Sequence, residues 1–72
     1  MTEAHAVLVL MRWKALQFVR ANYRRAGVKY TQVPMSQQKE AAEAYLREHL
    51  VELIEWAHLM LARINIAQLR LR

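Results

Sequence analysis

The side chains with chemistry to offer are few. Glu55-Trp-Ala-His58 has the Glu-x-x-His spacing, which sets a carboxylate and an imidazole on one helix face where both can hold one metal. Two copies of it, with Glu3 added, would supply the ligand count of a di-metal bundle. Glu55 and His58 fall off the apolar seam described below, on its outer side, so no metal site is expected. His49 flanks that seam beside Trp56 and reads as a structural histidine at a helix boundary. Ser36 and Thr31 have no His or Asp spaced to activate them, and capping or turn roles account for both. A single glycine leaves no loop to cradle phosphate. An enzyme needs a concave pocket with convergent polar groups, which so small a helical chain offers poorly. The expectation is a non-enzymatic protein with no catalytic residue and no cofactor.

A second kind of chemistry is electrostatic. The net charge is +5, and Arg20, Arg24, Arg25 and Lys29 gather beside Tyr23 and Tyr30. Arginines and aromatics together can contact phosphate and stack on bases. The charge is uneven: residues 1–27 hold five basic side chains against Glu3, whereas residues 36–72 hold five of each sign. Part of the basic excess is expected to lie against the acidic start of the second helix. Nucleic-acid binding through Arg20, Arg24, Arg25 and Lys29 is thus an alternative rather than the leading reading, since a basic patch without a reading motif is a weak signal.

These residues must be positioned by helices. The chain has 72 residues, one glycine, one proline and no cysteine, and 56% of it is hydrophobic. It is too apolar for disorder and too poor in turn residues for a sandwich or barrel. The absence of cysteine leaves no disulfide framework and leans mildly to a cytoplasmic location. The apolar run Ala6–Met11 is followed, not preceded, by basic residues, unlike a secretory signal. No window reaches the roughly 20 apolar residues of a membrane span.

Periodicity predicts a first helix over about 3–26, with Thr2 as its cap and Gly27 as its stop. An extended connection follows at 27–35, where Pro34 forbids helical geometry at Val33. A second helix, capped by Ser36, is predicted over about 36–71. Leu46, Leu50, Leu53, Ala57, Met60, Ile64, Ala67 and Leu71 recur along it in steps of three and four, a heptad stripe that reads as the packing seam of an antiparallel hairpin.

At about 1.5 Å per residue the first helix spans about 36 Å and the second about 52 Å. The last turns of the second helix therefore outrun their partner. Its outer face changes there from Glu48, Glu52 and Glu55 to Leu59, Ala62, Ile66 and Leu69. On the first helix Val7, Leu10 and Trp13 intrude on an otherwise polar face. Contiguous apolar patches mark interfaces. Val7, Leu10, Trp13, Leu59, Ala62, Ile66 and Leu69 are accordingly assigned to a homodimer or partner interface, with a four-helix bundle as the expected dimer.

The sequence thus predicts an all-α, single-domain hairpin with a long second helix. Its expected function is that of a small regulatory or adaptor protein which self-associates and binds a larger protein, modulating or inhibiting it. By fold-level analogy alone, a phage or mobile-element source would suit such a chain. An accessory structural subunit of a larger assembly is the remaining alternative.

Overall fold

The structure is a computed structural model that describes the backbone of residues 2–70 and the side chains of residues 2–68. Among the described residues the chain is all-helical, with no strand. Helix α1 spans Glu3–Arg25, α2 spans Met35–Glu48 and α3 spans Leu50–Arg70. A short 3-10 turn, Tyr30–Gln32, interrupts the connection that the sequence predicts as extended.

Both ends of α1 follow from local chemistry. Thr2 is extended at φ −77° and ψ 158°, and its Oγ1 accepts from the His5 amide at 3.2 Å. That bond satisfies one of the orphan N–H groups of the first turn, and Glu3 adds charge that the helix dipole favours. At the other end Gly27 adopts φ 78°. Its amide donates to the Arg24 carbonyl at 3.0 Å, and the Val28 amide donates to the Tyr23 carbonyl at 2.8 Å. This pair of bonds is a Schellman stop, and glycine adopts the left-handed torsion it needs without strain.

Helix α2 starts one residue earlier than its sequence suggests. Pro34, at φ −55°, occupies the cap position, and its carbonyl accepts from the amides of Gln37 and Gln38. Ser36 lies inside the first turn and does not cap the helix, because the fixed proline torsion already sets the entry.

The long second helix is divided at His49. This residue sits at φ −119° and ψ 33° and separates α2 from α3. Residues 35–70 as one straight rod would measure about 54 Å, longer than the molecule's greatest dimension of 44 Å. The two-helix expectation thus gives way to three helices. The break allows α1 to pack against both α2 and α3. The α1–α2 side-chain contacts pair Arg20 with Gln38 and Arg12 with Glu43, so positions rise along α2 as they fall along α1.

The core is small. Val7, Met11, Ala15 and Val19 come from α1, Ala42 and Leu46 from α2, and Leu53 and Ala57 from α3. On α1 these residues recur every four positions, the spacing of a single helical face. Ala15 and Ala57 have no exposed surface, which lets the backbones approach closely. The radius of gyration is 14.4 Å, against about 11 Å for a compact chain of this length. The excess reflects the end of α3, where residues 62–68 are all exposed.

Candidate interaction surface

The seam residues predicted on the second helix divide at the break and again where α1 ends. Leu46, Leu53 and Ala57 are buried in the core, and Met60 is half-buried. Leu50, next to the break, is exposed. Ile64 and Ala67 point along the same stripe but are exposed, and Leu71 lies outside the described residues.

The residues assigned to an outer interface also separate. Val7 belongs to the intrachain core and Leu10 is half-buried against it. Trp13 is 53% exposed, Leu59 62% and Ile66 52%, and Ala62 is exposed between the last two. Leu69 has its backbone in α3, and its side chain lies outside the described residues. Val9, Val51 and Ile64 add to the bare apolar surface. The cause is geometric: α1 covers only one side of α3 and stops short of its end.

An aromatic cluster that the sequence reading did not assemble lies at the junction of the three helices. The indoles of Trp13 and Trp56 stack with centroids 6.3 Å apart and planes at 15°. Phe18 stacks on Tyr45 at 5.1 Å, and Tyr45 on His49 at 4.3 Å. The Lys14 ammonium lies 5.4 Å from the Phe18 ring centre and 5.0 Å from that of Trp56, within reach of cation–π attraction to both. His49 also pairs with Glu52 at 3.4 Å. Tyr45 and His49 are four residues apart, but Trp13 with Trp56 and Phe18 with Tyr45 join different helices, so linear spacing gives no sign of those two pairs.

The basic residues do not behave as a unit. The Arg20 Nε donates to Gln38 Oε1 at 3.1 Å, and its guanidinium lies 4.8 Å from the Tyr30 ring centre. Arg20 is thereby committed to the fold. Arg24, Arg25 and Lys29 are exposed and make no ion pair among the described residues. Arg20, Arg24 and Arg25, the basic residues expected alongside the acidic start of the second helix, make no ion pair with it. Arg12 takes that role instead, meeting Glu43 at 3.2 Å.

Glu55 and His58 project outward, and His58 Nδ1 donates to the Ile54 carbonyl at 2.8 Å. Among the described residues no three His, Asp or Glu side chains cluster closely enough to hold a metal ion. No described helix is long and apolar enough to cross a membrane. Comparison with protein-family models, with curated proteins and with solved structures gives no match.

Proposed function

We propose that this chain is a non-enzymatic interaction protein, a small helical regulator or adaptor that self-associates and engages a larger protein through apolar helical surface. The observation that carries the reading is the bare apolar surface of α3, where Leu59 stands exposed on the outer side and Ile64 and Ile66 lie exposed past half-buried Leu61. Water disfavours such uncovered surface, at about 25 cal/mol per Å² of apolar area. A homodimer covers part of it. Trp13, exposed and backed by Trp56, is the kind of rigid aromatic anchor that dominates protein interfaces. It is the residue we assign to the larger partner.

The test compares the parent chain with Trp13→Ala and with Leu59→Lys. Light scattering should report a dimer for the parent and for Trp13→Ala, and a monomer for Leu59→Lys. A discrete protein retained by the parent from native-host extract should be lost with Trp13→Ala. A parent that stays monomeric and retains no protein would overturn the reading.

A nucleic-acid reading is kept for one reason: Arg24, Arg25 and Lys29 stand free of ion pairs around the Gly27 turn. Its signature is oligonucleotide affinity that falls steeply with salt and is lost in Arg24→Glu/Arg25→Glu. A flat salt response removes it.

A further inference from the structure

The face of α3 turned away from the core carries an ordered series. Glu55, Leu59, Ala62, Ile66 and Arg70 follow one another in steps of four, three, four and four. At about 100° per residue these positions fall on one narrow strip of the helix, opposite buried Leu53 and Ala57. The strip has a small residue at its centre, a large aliphatic on each side, and charges of opposite sign at its ends. It is complementary to itself when reversed.

We propose that this strip is the contact between two copies of the chain, with the two α3 helices antiparallel and crossing at Ala62. The inference rests on the self-association proposed above and adds its face, direction and register. In this arrangement Leu59 of one copy lies level with Ile66 of the other, and Glu55 lies level with Arg70. The two Ala62 positions meet near the two-fold axis, where the missing side-chain bulk lets the helices approach. Charge selects the direction. Along α3, Glu52 and Glu55 precede the crossing point, and Arg63 and Arg70 follow it. An antiparallel pair sets each acidic half against a basic half, whereas a parallel pair sets like charges together. The competing face, the bare continuation of the core stripe through Ile64 and Ala67, carries no charge pattern of this kind.

The chain contains no cysteine, so a single introduced thiol reports on one position. Ala62→Cys and Ala67→Cys are each oxidised mildly and run on a non-reducing gel. The proposal expects a covalent dimer from Ala62→Cys and little from Ala67→Cys. Sedimentation of charge variants gives an independent readout: Glu55→Arg and Arg70→Glu each weaken association by about tenfold, and the double swap recovers most of the loss. Cross-linking through Ala67→Cys instead, or a double swap no better than either single change, overturns this register while leaving self-association intact. A parent chain that sediments as a monomer at high micromolar concentration overturns both.

Discussion

The side chain of Gln38, only 3% exposed, joins three parts of the chain through Arg20 and two carbonyls. Its Oε1 accepts from Arg20 Nε at 3.1 Å, and its Nε2 donates to the Tyr30 and Val33 carbonyls at 2.8 and 2.9 Å. The connection between α1 and α2 therefore has its own anchor. Replacing Gln38 with leucine keeps the bulk but takes this partner from the Val33 carbonyl and the Arg20 guanidinium, while the Tyr30 carbonyl keeps the Val33 amide. Chemical denaturation should show a loss of about 2–3 kcal/mol.

Gly27 gives a smaller and cleaner effect. A Cβ there would meet nothing within 4 Å, so the only obstacle to a side chain is φ 78°. Gly27→Ala should cost about 1–2 kcal/mol from left-handed backbone strain. Gly27→Asn should cost less than Gly27→Ala, since asparagine tolerates that region. Thermal melts of the two variants against the parent check the order.

Ala57 is fully buried at the contact of α3 with α1. Enlarging it to leucine forces the helices apart and should destabilise the chain by about 1–3 kcal/mol. The same substitution at exposed Ala62 should leave the helix content of the protein unchanged. Circular dichroism on both variants measures the contrast.

Much of this architecture is legible in the sequence, and the exceptions have physical reasons. Thr2, Gly27 and Pro34 mark helix ends because each acts within a few residues of itself. The break at His49 leaves no such mark: residues 45–53 contain neither proline nor glycine, and the heptad stripe runs straight through. Val7 shows a different limit. Near the start of α1 apolar residues occupy nearly every side, so periodicity alone cannot say which of Val7, Val9 and Leu10 faces inward. Nothing next to Gln38 in the chain marks it for burial, since Arg20, Tyr30 and Val33 meet it only once the connection folds. The aromatic pairs Trp13–Trp56 and Phe18–Tyr45 are hidden because they join residues far apart in the chain.

The separation of core from outer face can be tested directly. Val7→Lys places an ammonium in the core and should cost about 3 kcal/mol or more, melting the helices. Leu59→Lys places the same group on a surface that is already bare, and the isolated chain should keep its helix content. Loss of structure in Leu59→Lys and its retention in Val7→Lys would reverse the assignment of the two faces.

Sedimentation velocity across a concentration series, from low to high micromolar, bears most directly on the uncovered end of α3. The parent chain should pass from monomer to dimer as concentration rises, and Leu59→Lys/Ile66→Lys should stay monomeric throughout with unchanged helix content. A parent that remains a well-behaved monomer at every concentration, indistinguishable from the double variant, would contradict the account.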